Sequence, residues 1–172
     1  MKFRLEIKIV IYTFIFLSCS LIGILISKKY TNRVNELKEF KNALNIFKTK
    51  IRYTYEPIPD IFMQISENIN SNIGNVFSQA ANKMNVLAAG EAWNIALKME
   101  ELSINQEDRN VLENLSKLLG KTDLQGQLNQ IEMTEDFLNE QIRKAEQEKN
   151  KNEKMYRTLG AIIGMVIVII VM

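Results

Sequence analysis

The side chains that most often carry catalysis or bind metal ions are nearly absent from this sequence. Its 172 residues include no histidine and one cysteine, and that residue, Cys19, lies inside an apolar run. A histidine-dependent triad, a histidine-ligated zinc site and an intramolecular disulfide are therefore excluded. The seven glycines form no phosphate-binding loop. We expect no enzyme activity, no catalytic or metal-binding residue and no cofactor.

The charge composition gives no indication of nucleic acid binding. The 22 basic and 20 acidic residues leave a net charge of +2, and both signs are mixed along the chain. No segment interleaves aromatic with basic residues, as a nucleic acid surface often does. We therefore expect no nucleic acid partner.

An uncharged run near the N-terminus has the length of a membrane span. Residues 9–26 include 18 uncharged residues, which form about 27 Å of helix, close to the thickness of a bilayer core. We interpret this run as an uncleaved anchor. Two alternatives stay open, a cleaved signal peptide and a lipoprotein modified at Cys19, although a signal peptide usually has a shorter apolar core.

The C-terminal end of the chain predicts a second membrane helix. Residues 159–172 are 14 apolar residues, or about 21 Å of helix, which is short for a bilayer core. Tyr156 and Arg157 can lengthen the span by lying at the membrane interface. A core helix of a soluble domain is the less favoured interpretation, because the run is apolar on every face.

Small residues recur at four-residue spacing in both apolar segments. Cys19, Gly23 and Ser27 form one such face, and Gly160 and Gly164 form another. Small faces allow membrane helices to approach closely. We expect these two faces to pack together in a hairpin.

The middle of the chain has helical periodicity throughout. The N-terminal membrane helix is predicted to continue as a soluble amphipathic helix up to the sequence RYTYEPIPD. Pro57 and Pro59 then end it, because proline lacks an amide hydrogen and restricts the residue before it. Pro59 is also expected at the first position of the next helix.

Turn and capping residues divide the remainder into further helices. The sequence NSNIGN at residues 70–75 predicts a turn, and helices are expected over residues 88–102 and 106–119. Asn105 should cap the latter helix and Gly120 should end it. Thr122 and Gln125 have the spacing of a capping box for the last helix.

The predicted fold is all-α. It consists of a soluble bundle of about six helices between an N-terminal and a C-terminal transmembrane helix. The expected domains are residues 1–27, 28–155 and 156–172. Within the last soluble helix, residues 140–157 include 10 charged residues of 18, typical of a solvated helix or an interaction arm.

Five short motifs carry a family resemblance: KKYTNRVNELKEF, IRYTYEPIPDI, AGEAWNIAL, LLGKTDLQGQ and EKMYRTLGAIIG. In this order, between two terminal apolar helices, they resemble stage III sporulation protein AB of endospore-forming Firmicutes. That family is similar to the cytoplasmic helical domains of the F-type inner-membrane platform proteins of type II secretion and type IV pili. Ile58 stands where the family pattern has Leu after the first proline, which leaves the resemblance intact.

The resemblance implies a function and a location. It implies a non-enzymatic scaffold or platform subunit of a secretion-like channel complex between mother cell and forespore, required for endospore formation. It places the protein in the mother-cell membrane facing the forespore, with other complex subunits, a secretion-type ATPase and membrane lipid as neighbours. A homo-oligomer is compatible with this function.

The motif residues are expected to shape the fold more often than to contact partners directly. They comprise two prolines, a core tryptophan and a set of turn, cap and membrane-proximal residues. They are Tyr53, Pro57, Pro59, Ala92, Trp93, Leu119, Gly120, Asp123, Tyr156, Leu159 and Gly160.

Two other functions stay open from the sequence alone. A membrane-anchored sensor or regulator could use the charged helix to act on a soluble partner. A lipoprotein would instead place the helical domain outside the cytoplasm. Affinity capture separates the scaffold from the sensor, because it would recover complex subunits in the first case and a regulator in the second.

Basic residues near the membrane ends predict that the helical domain is cytoplasmic. Seven lie on its side, namely Lys28, Lys29, Arg33, Lys149, Lys151, Lys154 and Arg157, whereas the N-terminal tail has three, Lys2, Arg4 and Lys8. The side with more Lys and Arg normally stays inside. Two spans place both termini on the other side.

Cysteine labelling tests this topology. Cysteines introduced singly at Asn75 and Asn150 should react with a polar thiol reagent only after permeabilisation, and a cysteine added before Met1 should react in intact cells. Labelling of the Asn75 or Asn150 variant from outside would reverse the topology. It would also restore the lipoprotein alternative, which palmitate incorporation at Cys19 would then decide.

Overall fold

Helices make up almost the whole computed structural model, which describes residues 2–54, 56–69 and 71–171. In chain order they are α1 (Lys2–Tyr53), α2 (Ile58–Asn68), α3 (Asn72–Lys83), α4 (Ala89–Met99), α5 (Gln106–Asn114), a 3-10 turn (Leu115–Lys117) and α6 (Leu124–Val171). The described residues form no strand. The prediction of an all-α protein with about six helices and long apolar helices at both ends is confirmed.

The chain divides into two compact units, and α1 and α6 contribute to both. Residues 1–32 and 145–172 form one unit, here called the anchor unit. Residues 33–144 form the other, here called the helical unit. The domain limits predicted from the sequence, 1–27, 28–155 and 156–172, concern where the membrane begins and stay a prediction.

Aromatic side chains form the centre of the helical unit. Trp93 of α4 is fully buried, and its ring centroid lies 5.2 Å from that of Phe77, 5.7 Å from Phe62 and 6.4 Å from Phe40. The rings meet edge to face, the arrangement that aromatic quadrupoles favour. The indole Nε1–H donates to the Leu112 carbonyl oxygen at 2.8 Å. One tryptophan therefore joins helices α1, α2, α3, α4 and α5.

The predicted turn at residues 70–75 is shorter in the structure. Helix α3 already begins at Asn72, and the Ser71 side chain caps it by accepting from the Ile73 amide. Gly74 lies buried inside the helix. Packing has overridden the local turn preference of this sequence, as tertiary context often does. Asn70, within the predicted turn, and Tyr55, within a family motif, lie outside the described residues, as do Met1 and Met172 at the ends of the predicted spans.

Two other predicted helices are shorter than the sequence indicated. The helix expected over residues 88–102 is α4, Ala89–Met99. The helix expected over residues 106–119 ends at Asn114 and continues as the 3-10 turn Leu115–Lys117. Pro59 is the second residue of α2, which begins at Ile58 after Pro57.

The start of α5 is as predicted, whereas the start of α6 is not. The Asn105 side chain accepts from the Asp108 amide, and the Asp108 side chain accepts from the Asn105 amide, which completes a capping box. Before α6, the Asp123 carboxylate accepts from the Gly126 amide at 2.9 Å. The Gln125 side chain instead donates to Asn129. The capping box predicted from Thr122 and Gln125 is therefore wrong, and Asp123 is the capping residue.

Replacement of Trp93 tests the aromatic centre. Trp93→Ala should lower the free energy of unfolding by about 3–5 kcal/mol, because it leaves a large cavity and an unpaired carbonyl. Chemical denaturation of the full chain in detergent, followed by far-ultraviolet circular dichroism, measures this change. The control is Tyr53→Ala, an exposed aromatic that should change stability by less than about 0.5 kcal/mol. Equal losses in the two variants would contradict the assignment, as would ready iodide quenching of the native Trp93 fluorescence.

Candidate functional site

The structure gives no indication of a metal centre in the described part of the chain. No group of three His, Cys, Asp or Glu side chains there could hold a metal ion. Cys19 is a partly exposed free thiol in the anchor unit. The features suited to function are instead surfaces that can contact proteins or lipid.

A buried ion pair fixes helix α5 to helix α1. The Arg33 Nε lies 2.7 Å from Asp108 Oδ2, and its second nitrogen donates to Oδ1 at 3.0 Å. Both residues are buried. The Asn105 amide donates to the same carboxylate at 2.9 Å. Because three donors satisfy the carboxylate, its burial is compatible with a stable fold.

Two further carboxylates on α1 hold connecting loops. Glu36 accepts from the Ser103 amide at 2.6 Å, and Glu39 accepts from the Ser71 hydroxyl at 2.6 Å. Burial raises the pKa of Glu36, although the bond from Ser103 opposes this shift. The α2–α3 and α4–α5 loops are therefore bound to the same stretch of α1. We call this end of the helical unit the loop end.

The remaining connections meet at the other end of the short helices, here called the turn end. A Cβ added at Gly90 would collide with the Ser116 carbonyl oxygen, so the start of α4 lies directly on the 3-10 turn. Gly120 has a φ of 71°, and an added Cβ would lie 3.1 Å from Ala89 Cβ and 3.9 Å from Ile58 Cδ1. Glycine permits both the positive φ and the close approach. The starts of α2 and α4 thus meet the segment that leads into α6.

Large apolar side chains are exposed at the turn end. Val86, in the α3–α4 loop, is 83% exposed, and Tyr53, the last residue of α1, is 70% exposed. Leu118 and Leu124, on either side of Gly120, are each 38% exposed. Apolar side chains grouped on a surface often mark a site of protein contact. The turn end is therefore the candidate partner interface of the helical unit.

The structure distributes the predicted motif residues among three environments. Ala92, Trp93 and Leu119 are buried in the helical unit. Tyr53, Pro57, Gly120 and Asp123 are exposed and Pro59 is half-buried, all in or beside the connections of the turn end. Tyr156, Leu159 and Gly160 belong to the anchor unit. Leu119 is buried but precedes Gly120 directly. With it, six of the eleven motif positions belong to the turn end.

Sequence reasoning missed several of the residues that form these sites. The sequence does not single out Val86 or Leu118, since nothing local shows which helix ends coincide. Arg33 was counted only as a basic residue near the membrane. One signal was available, because Arg33 falls four residues before Leu37 on the apolar face of α1. A charge at such a position indicates a buried partner.

In the anchor unit, the small residues allow the two long helices to touch. A Cβ added at Gly23 would lie 3.0 Å from Gly160 Cα, and one added at Gly164 would lie 3.1 Å from Cys19 Cβ. Ser27 is buried, and its hydroxyl donates to the Ile24 carbonyl within the same helix. The two faces predicted from the four-residue spacing thus lie against each other.

Both long helices contain a stretch that is long and apolar enough to cross a membrane. Only 11% of each apolar stretch is buried within the protein. A core helix of a soluble protein would be largely covered, whereas exposed apolar faces suit contact with lipid. The two helices are therefore candidate membrane spans, and the protein is associated with the membrane.

The fold and its surfaces define a membrane-associated, all-α protein with an exposed surface suited to partner binding. The family profile of stage III sporulation protein AB matches residues 8–172. Stage III sporulation protein AB of Bacillus subtilis (strain 168) is 26% identical over 170 residues, covering 96% of this chain and 99% of that protein. A solved structure of stage III sporulation protein AB (SpoIIIAB) has the same fold, with a TM-score of 0.66 at 22% identity. The match covers 70% of this chain and 98% of the chain in the solved structure.

The chain belongs to the stage III sporulation protein AB family, and the resemblance carried by the five motifs is confirmed. The family name is that of a sporulation protein, not of an enzyme. The protein is therefore assigned a role in sporulation.

The buried ion pair offers a test of how the loop end is held. Asp108→Asn should lower the free energy of unfolding by about 3–5 kcal/mol, because it removes the buried carboxylate charge that meets the Arg33 guanidinium. The control is Glu140→Gln, which removes the exposed ion pair with Arg143 and should cost less than about 1 kcal/mol. Denaturation of the full chain, followed by Trp93 fluorescence, gives both values. If the two variants lose the same stability, the ion pair does not fix α5 as described.

Proposed function

We propose that this protein is a non-enzymatic scaffold subunit of a secretion-like channel complex between mother cell and forespore, required for endospore formation. The sporulation role follows from the family, whereas the channel complex is what the motif resemblance implies. The anchor unit would hold the protein in the mother-cell membrane facing the forespore. The helical unit would lie in the cytoplasm and bind other subunits.

The observation that carries this proposal is the turn end. It presents Val86, Tyr53, Leu118 and Leu124 on connections whose backbone is fixed by close contacts at Gly90 and Gly120. A fixed surface loses little conformational freedom on binding, so more of the contact energy appears as affinity. Exposed aromatic and aliphatic side chains are suited to be the anchors of such an interface. The proposed occupants are complex subunits, among them a secretion-type ATPase, and a second copy of the chain is compatible with the same surface.

The absence of an identifiable catalytic site among the described residues is compatible with a scaffold. Three charged residues are buried there: Arg33 and Asp108 satisfy each other and a helix cap, and Glu135 pairs with Lys48. Glu36 and Glu39 likewise bind loop atoms. These polar groups therefore hold the fold.

A photo-crosslinking amino acid at Val86 tests the proposed interface in sporulating cells. The matched control is Met99, an apolar residue at the far end of α4 that is 58% exposed. Crosslinks from Val86 to other membrane-complex subunits, including an ATPase, should exceed those from Met99 by about tenfold or more if the turn end is an interface core. A polar replacement, Val86→Asp, should reduce spore formation, whereas Met99→Asp should not.

Three results would contradict the proposal. Equal crosslinking at Val86 and Met99 would remove the turn end as the interface. Recovery of only a kinase or transcription regulator would favour the sensor alternative. Normal spore formation in cells that carry Val86→Asp at normal abundance would exclude a required contact at this residue.

A further inference from the structure

Five exposed cations form a layer at the ends of the two membrane spans. In α6, Lys151, Lys154 and Arg157 recur every three residues, so they form a stripe about 9 Å long that covers roughly a third of the helix circumference. In α1, Lys28 and Lys29 follow the apolar run directly. The structure exposes all five side chains. We call them the basic layer.

The two helices are held so that the cations lie at the same height. Gly23 contacts Gly160, and the Thr31 hydroxyl donates to the Glu153 carboxylate at 3.3 Å. Residues 23–31 of α1 therefore run beside residues 153–160 of α6. Since the helices are antiparallel, Lys28 and Lys29 lie level with Lys154. The cations of both helices are thus gathered into one layer.

The acidic residues of this region do not neutralise the basic layer. Glu153 accepts from Thr31, and its carboxylate lies 3.9 Å from Lys149, which is outside the layer. Glu146 and Glu148 also have interactions of their own. In the part of the chain that the structure describes, no carboxylate forms an ion pair with a member of the basic layer. These charges are available to an external anion.

An aromatic pair marks the depth at which the layer lies. The rings of Tyr30 and Tyr156 are stacked, with centroids 5.8 Å apart and an interplanar angle of 15°. Tyrosine is enriched where a span meets the polar headgroups. Arg157 and Lys29 neighbour these two tyrosines in sequence. If the spans end at these tyrosines, the basic layer would lie at the height of the lipid phosphates.

We propose that the basic layer is a binding site for the headgroups of anionic phospholipids. The Arg157 guanidinium suits bidentate contact with a phosphate, and the lysines supply point charges beside it. Zwitterionic lipids share the phosphate but carry a compensating cation, so they gain less from the five positive charges. The site would make the anchor selective for anionic lipid in the adjoining leaflet.

Lipid retention by the full chain tests this site. The protein is placed in nanodiscs that contain phosphatidylcholine and phosphatidylglycerol, and the lipids that stay bound after extraction are counted by native mass spectrometry. Phosphatidylglycerol should be enriched on the wild-type protein. The triple variant Lys151→Gln, Lys154→Gln, Arg157→Gln should reduce that enrichment by about tenfold or more. High salt should reduce the enrichment on the wild-type protein, because exposed charges are screened.

The matched control removes three exposed cations from the helical unit. Lys98→Gln, Lys117→Gln and Lys121→Gln together change the net charge by the same amount and should leave the enrichment unchanged. Circular dichroism verifies that both triple variants remain helical. No preference for phosphatidylglycerol on the wild-type protein, or equal losses in the two variants, would overturn the proposal. Displacement of the lipid by soluble glycerol phosphate at equal concentration would instead assign the site to small phosphates, which also overturns it.

Discussion

The constraint on which the helical unit depends is the pairing of Arg33 with Asp108. A buried guanidinium is costly unless a carboxylate meets it in good geometry, and here that carboxylate also closes the first turn of α5. Helix α5 therefore cannot shift along α1 without losing its own cap. Glu36 and Glu39 follow Arg33 at three-residue steps along α1, and each carboxylate accepts a hydrogen bond from a loop. Three charged residues on one stretch of α1 thus hold the chain where α3 and α5 begin.

This arrangement makes the two ends of the helical unit chemically different. At the loop end, side chains of α1 bind the loops, and Asn72 also donates to the Glu101 carbonyl between the two loops. At the turn end, Gly90 brings α4 against the backbone of Ser116, and Gly120 lies beside the side chains of Ala89 and Ile58. At the loop end the polar groups are hydrogen-bonded to one another. At the turn end, apolar side chains such as Val86 are exposed. The turn end is therefore suited to an apolar protein contact.

The sequence predicted best what depends on neighbouring residues. The long helices α1 and α6 follow from uninterrupted periodicity, and the cap at Asn105 follows from local hydrogen-bonding chemistry. The cap of α6 was misplaced by one residue because Thr122 and Asp123 are both good capping residues. In the structure Asp123 fills this role by accepting from the Gly126 amide. The turn expected around Gly74 was similarly overridden by burial of α3.

What the sequence could not provide is the pairing of distant residues. Arg33 and Asp108 are 75 positions apart in the sequence. Each can be explained locally, Arg33 as a cation near the membrane and Asp108 as an acidic residue in the first turn of a helix. The turn end likewise exists only because the ends of several helices coincide in space. Its residues lie in or beside three separate connections, so no window of sequence contains the surface.

The short helices show why these long-range contacts decide more than local preference. Helices α2 to α5 have between 9 and 12 residues, and isolated helices of that length are marginal in water. Their order comes from Trp93 and the rings around it, together with the charged contacts of α1. A surface formed from such elements is fixed only when the whole unit is folded. The turn end can therefore present Tyr53, Val86 and Leu124 as one group only in the folded protein, which makes the fold itself a condition for partner recognition.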